Sequence, residues 1–191
     1  MTSVEGKVLY FDKPGPDATG KLLRYCRKYA DERGVKDVVV SSTTGKTGAE
    51  ASGIFKGLNI VVVSHHFGFR TPNRGEMKTR YRNQILKNGA KLYTGTHALS
   101  GPERAIRGKF NTLSPLELIA NVYRTFGQGM KVCVEIALMA SDAGLIPTDR
   151  DVLSIAGTGK GADTAIVLRP TVSSNFFEFK IRELVAKPRD F

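Results

Sequence analysis

The sequence predicts an α/β domain built on a largely parallel sheet. Three observations carry that reading. Short β-branched runs alternate along the chain with segments of helical periodicity. Two of those runs, centred on Val38-Val39-Val40 and Ile60-Val61-Val62-Val63, have the continuous apolar character of strands covered on both faces. The composition, 41% hydrophobic and 25% charged over 191 residues, is that of a folded domain and excludes a disordered chain. The length suits one large domain or two small ones. With no linker, repeat or low-complexity stretch, residues 1–191 are read as one.

Residues 8–11 form the first strand, broken by Lys13-Pro14-Gly15-Pro16. Leu22, Leu23, Tyr25, Cys26, Tyr29 and Ala30 recur at helical spacing, and Gly34 is placed to end that helix. A strand at 37–42 leads through a polar turn, 42–48, into a short helix ending near Gly57. Residues 59–64 are the next strand, 65–77 a loop, and 78–87 a basic helix closed by Asn88-Gly89. A strand at 91–94 is followed by a long ordered loop over 95–112. Ser114-Pro115-Leu116-Glu117 is a helix start, with Ser114 as cap, Pro115 in the first turn and Glu117 completing a capping box. That helix runs to about Phe126. After Gly127, residues 130–143 are apolar almost all round, which marks a buried helix. Strands at 152–156 and 164–168 flank a glycine-rich turn, and 176–185, imperfectly alternating, closes the chain.

No apolar run approaches the roughly 18 residues of a membrane span. The first residues, Met-Thr-Ser-Val-Glu-Gly-Lys, contain no apolar signal core, so a cytoplasmic location is expected. Cys26 and Cys133 lack a metal-site spacing, and neither a disulfide scaffold nor a zinc ribbon is expected. The net charge of +11 favours anionic partners. Over half of it sits between residues 70 and 91, where Arg70, Arg74, Lys78, Arg80, Arg82, Lys87 and Lys91 face Glu76 alone. A solvated helix face explains such a run. No finger, helix-turn-helix or aromatic-strand motif accompanies it, so nucleic acid is not the expected partner.

Parallel sheets bind ligands beyond the carboxyl ends of their strands, so the segments after each strand are the place to look. After Ser42 comes Thr43-Thr44-Gly45-Lys46-Thr47-Gly48, opening a helix. Hydroxyls, a lysine and free helix N–H groups converge there, the chemistry of an anion site. An ordinary capped turn would carry the same residue types. The segment misses a P-loop because Val40 stands where the first glycine belongs. A second rim element is Gly157-Thr158-Gly159-Lys160-Gly161-Ala162-Asp163-Thr164. It precedes a strand, not a helix, so the dinucleotide fingerprint fails. Its glycines suit either close backbone approach to a ligand or a plain hairpin-like turn. All three histidines, His65, His66 and His97, follow strands, which would set them on one rim as proton donors or as packed polar residues. No third ligand makes them a metal site. Glu135, inside the buried helix, is best satisfied by Lys131 four residues earlier.

These residues resemble the archaeal and bacterial family of stand-alone proteins similar to the C-terminal domain of pyruvate kinase. Matching stretches include Lys13-Pro14-Gly15, residues 38–45, Ser64-His65-His66-Phe67-Gly68-Phe69-Arg70 and Thr96-His97-Ala98-Leu99-Ser100-Gly101. Residues 129–137, 156–159 and 161–165 match as well. The resemblance implies an α/β/α sandwich with a five-stranded core sheet, one strand antiparallel. It also implies a crevice where the turn at 43–47 and the loop at 157–164 meet. Pyruvate kinase activity is not expected, because the catalytic barrel has no counterpart in these residues. The family's likeness to flavin mononucleotide (FMN) binders makes FMN the expected cofactor. The expected binding set is Ser42, Thr43, Thr44, Gly45, Lys46, Thr47, His65, His66, Phe67, Gly68, His97, Gly157, Thr158, Gly159, Gly161, Ala162, Asp163 and Thr164. His66 and His97 are the candidate catalytic acids, since a flavin brings no acid of its own. Asp163 is expected to fix its loop through N–H bonds or to bond a ribityl hydroxyl.

Two alternatives remain: a regulatory module that senses a sugar phosphate or nucleotide without chemistry, and nucleic-acid binding through the 70–91 segment. The oligomeric state, a homo-oligomer included, is left open.

Overall fold

The computed structural model describes residue 3 and residues 5–191. Its strands are β1 (Leu9–Phe11), β2 (Asp37–Ser41), β3 (Asn59–His65), β4 (Lys91–Gly95), β5 (Val152–Ala156), β6 (Thr164–Arg169) and β7 (Lys180–Pro188). They form one sheet in the order β1-β7-β6-β5-β2-β3-β4. Only β6 runs against its neighbours; every other pairing is parallel. The core of five strands, β4-β3-β2-β5-β6, is therefore extended by two more. β7 pairs with β6 through two register shifts, and such bulges explain why alternation in the last strand is imperfect.

Helices α1 (Thr19–Arg33), α2 (Lys46–Ile54), α3 (Thr79–Lys87), α4 (Glu103–Phe110), α5 (Pro115–Arg124) and α6 (Gln128–Asp142) cover the sheet. Strand side chains alternate between two apolar layers. Val38, Val40, Ile60, Val62, Leu153 and Ile155 pack with Leu22, Leu23 and Cys26 of α1, Ala51 of α2 and Ile85 of α3. Val39, Val61, Val63, Val152 and Ile166 pack with Ala120 of α5 and with Cys133, Val134, Ala137 and Leu138 of α6. Continuous valine runs are thus the consequence of helices on both faces. The result is an α/β/α sandwich.

Three local expectations are corrected. The last strand runs over Lys180–Pro188 and not from residue 176, because Ser173–Glu178 form a 3-10 helix that breaks the alternation there. Residues 95–112 are not loop throughout, because α4 occupies Glu103–Phe110. That helix buries no residue, and with only Ala105, Ile106 and Phe110 apolar and Gly108 inside it, the segment is too short and too polar to stand out as a helix in the sequence. The capping box at α5 does not form. Ser114 is buried and makes no side-chain cap bond. The Leu116 N–H donates instead to Glu103 Oε2 at 2.9 Å, and Glu117 pairs with Arg107. The start of α5 is capped from α4, across the chain.

Candidate functional site

Strands β2 and β5 are neighbours, yet the chain leaves β2 towards β3 on one side and β5 towards β6 on the other. A crevice opens at such a switch point. Here it is a cavity of about 730 Å³, within the ordinary range of small-molecule sites.

One wall is the turn between β2 and α2. Thr43, Thr44, Lys46 and Thr47 line it. Ser42 holds it from beneath: its N–H donates to the Val63 carbonyl at 2.9 Å and its Oγ accepts the Gly48 N–H at 3.0 Å. Gly45 has φ +91°, and a Cβ there would meet Tyr81 Cβ at 2.7 Å, so α3 can press against the turn only because glycine stands there. The N–H groups of Lys46 and Thr47, first in α2, have no intrahelical acceptor, and among the described residues no other backbone acceptor takes them, so they can meet an anion.

The opposite wall is the glycine loop, through Gly157, Gly159, Lys160 and Gly161. Gly161 (φ +77°) lies so close to Pro16 that an added Cβ would sit 2.5 Å from Pro16 Cα. Ala162, Asp163 and Thr164 do not line the cavity and are fully buried behind it. Asp163 Oδ2 accepts the N–H groups of Gly15 (3.2 Å) and Thr158 (3.0 Å), while Oδ1 accepts the Thr164 hydroxyl at 2.7 Å. Asp163 therefore fixes the loop. The Ala162 N–H donates to Thr19 Oγ1 at 2.9 Å, tying the same loop to α1.

His65 and His97 line the third side with Phe69. Their rings are 5.0 Å apart, and Phe69 lies 4.1 Å from His65 and 5.0 Å from His97. His65 Nδ1 is 2.6 Å from Glu76 Oε2 and its Nε2 is 3.3 Å from Thr43 Oγ1. Arg70 Nε holds the other Glu76 oxygen at 3.0 Å. Burial, the largest cause, pushes His97 down to about 4; His65, Lys131 and His66 add to that and Glu135 opposes it. His97 is therefore neutral at pH 7. His66, Phe67 and Gly68 stand outside the lining. The His66 ring packs 5.8 Å from His97, with Nδ1 against the Phe67 carbonyl at 2.7 Å, and Phe67 is exposed. Thr158 is likewise outside the lining.

The remaining side comes from α5 and α6. Lys131 Nζ and Glu135 Oε2 form a buried pair at 2.6 Å, as their spacing predicts, and Glu135 Oε1 accepts the Leu99 N–H at 3.2 Å. Burial lowers the Lys131 ammonium and Glu135 opposes the shift. Arg124, Gln128, Val132, Ile136 and Met139 complete the surface, and the Arg104 guanidinium lies 4.7 Å from the Phe69 ring centre. Lys46, Arg70, Arg104, Arg124, Lys131 and Lys160 thus line the cavity with Glu50 and Glu135, and Glu76 stands behind His65 against Arg70, which leaves the cations in excess. Among the described residues no cluster of three His, Cys, Asp or Glu is placed to hold a metal ion.

Sequence reasoning missed Glu76, Arg104, Arg124 and the cavity role of Lys131. Glu76 had a signal, as the sole carboxylate inside a basic run. Arg104 and Arg124 had none, since their placement depends on how α4 and α5 dock.

The family model for the pyruvate kinase α/β domain matches residues 21–168. This chain belongs to that family. Among solved structures it is similar to pyruvate kinase from Cryptosporidium parvum in complex with ADP, at 15% identity and TM-score 0.37, over 89% of this chain and 24% of that one. It is also similar to O-ureido-L-serine synthase, at 18% identity and TM-score 0.30, over 68% of this chain and 41% of that one. The chain thus spans about a quarter and about two fifths of those two proteins.

Proposed function

We propose that this chain binds a phosphate-bearing small molecule in the crevice between β2 and β5, and that FMN is that ligand. The carrying observation is the excess of cations around a cavity whose two walls are a helix-opening turn and a glycine loop. Lys46 with the α2 N–H groups would hold the phosphate. Val63, Val132, Ile136, Met139 and Phe69 offer apolar surface for a planar ring, so the donor set fits a flavin phosphate. A bound flavin would supply redox chemistry, while the chain supplies binding, orientation and neighbouring charge. The reaction is unassigned. Among the described residues no helix is long and apolar enough to cross a membrane. The two buried free thiols suit a reducing compartment, and we place the protein in the cytoplasm.

The test is direct. Purified protein is denatured by heat and the released small molecule is identified by mass and absorbance. A stoichiometric flavin phosphate supports the reading. A colourless protein whose melting temperature rises with sugar phosphates but not with FMN would point to a sensing module instead.

A further inference from the structure

Thr43, His65 and Glu76 come from three different segments: the turn after β2, the end of β3, and the loop before α3. They form a continuous line of hydroxyl, imidazole and carboxylate. Glu76 Oε2 lies 2.6 Å from His65 Nδ1. A carboxylate can only accept, so Nδ1 carries a proton, and a ring with that single proton holds its lone pair at Nε2. That lone pair is 3.3 Å from Thr43 Oγ1, a distance typical of a relay without substrate. Arg70 Nε, at 3.0 Å from Glu76 Oε1, fixes the carboxylate. Both Thr43 and His65 line the cavity. Thr43 stands in the turn between β2 and α2, just before the α2 N–H groups that would hold the donor's anionic group.

We propose that Thr43 is a nucleophile for acyl transfer from anionic esters or thioesters, with His65 as general base and Glu76 as the positioning residue. In the first step Thr43 Oγ1 bonds to the carbonyl carbon and its proton passes to His65 Nε2. The bond to the leaving alcohol or thiol breaks, and that group takes the proton from His65. Water, activated by the same ring, then releases the acid and restores the Thr43 hydroxyl. No oxidant or reductant enters. The cations lining the cavity select an anionic donor, and in this respect the proposal rests on the phosphate-binding reading.

The test uses p-nitrophenyl acetate, which carries no phosphate and so reads the relay alone. Protein is mixed with the ester at pH 8, quenched in acid within seconds, digested and mapped by mass. The expected result is an acetyl group on Thr43, retained in Thr43→Ser and absent in Thr43→Val. His65→Gln and Glu76→Gln should each lower the labelling rate at least tenfold while circular dichroism reports an intact fold. Nitrogen-15 NMR should show the His65 ring protonated at Nδ1 in the wild type and as mixed tautomers in Glu76→Gln, and the conservative variant Glu76→Asp should recover part of the labelling rate that Glu76→Gln loses. An unlabelled Thr43, or labelling that persists undiminished in His65→Gln, overturns the proposal. If either substitution prevents folding, the wild-type tautomer and the Thr43 label decide alone. Calorimetric titration of unlabelled protein with inorganic phosphate, run in parallel, reports separately on the phosphate site.

Discussion

Asp163 and Gly15 lie 148 residues apart and are joined by a hydrogen bond from the Gly15 N–H to Asp163 Oδ2 at 3.2 Å. The same oxygen takes the Thr158 N–H. One buried carboxylate therefore links the segment before α1 to the glycine loop and anchors that wall of the cavity from behind. Asp163→Ala would leave both N–H groups and the Thr164 hydroxyl without their acceptor. We expect a loss of about 2–4 kcal/mol, read from urea midpoints, and faster hydrogen exchange at residues 157–162. An unchanged midpoint would mean that water replaces the carboxylate without cost.

The Lys131–Glu135 pair lies at the cavity floor with both side chains nearly inaccessible. Lys131→Met strands the carboxylate and should cost about 3–5 kcal/mol. The double variant Lys131→Met, Glu135→Leu should recover most of that loss, because well-packed apolar groups often match a buried pair. Additive losses in urea unfolding would contradict this account.

His97 sets a pH dependence of stability. Its ordinary value is 6.5 and its folded value is about 4. Between these values the unfolded chain binds a proton that the folded chain does not, so the folded state loses ground as pH falls. The contribution is fully present above pH 6.5 and is lost towards pH 4. With the ring part-exposed, the loss is on the order of 2 kcal/mol. Urea unfolding at pH 7 and pH 5 should show the slope, and His97→Gln should flatten it.

Two glycines of one loop should respond differently. A Cβ on Gly161 would lie 2.5 Å from Thr19 Oγ1 as well as from Pro16, whereas Gly159 (φ +71°) has nothing within 4 Å of that position. Gly161→Ala should cost stability and spread the loop from α1. Gly159→Ala should retain the fold with only the strain of a positive φ, about 1 kcal/mol. Equal melting temperatures for the two variants would contradict the geometry.

The sheet was legible because Val38-Val39-Val40 and Ile60-Val61-Val62-Val63 have no solvated face to encode. The turn at Thr43 was legible because hydroxyl, glycine and lysine meet at a strand end. The sequence offers Asp163 two roles, to fix its loop through N–H bonds or to bond a ribityl hydroxyl; the first holds at Thr158, while its reach to Gly15 depends on packing that is not legible in the sequence. His65 and His66 are neighbours that sequence cannot separate. The direction of β3 sends one ring into the cavity against Glu76 and leaves the other against the Phe67 carbonyl. Residues of α4 and α5 were hidden for a related reason: Glu103 caps α5 from a helix that buries nothing of its own.

The central claim is that the turn at residues 43–47 holds the phosphate of the ligand. Calorimetric titration of the ligand-free protein with FMN and with riboflavin, which lacks the phosphate, tests it most directly. The account predicts FMN binding at least tenfold tighter than riboflavin. It further predicts that Lys46→Ala removes about 1–3 kcal/mol from FMN binding, the usual worth of a charged hydrogen bond, and leaves riboflavin unaffected. Equal affinity for the two flavins, or FMN binding that ignores Lys46→Ala, would contradict it.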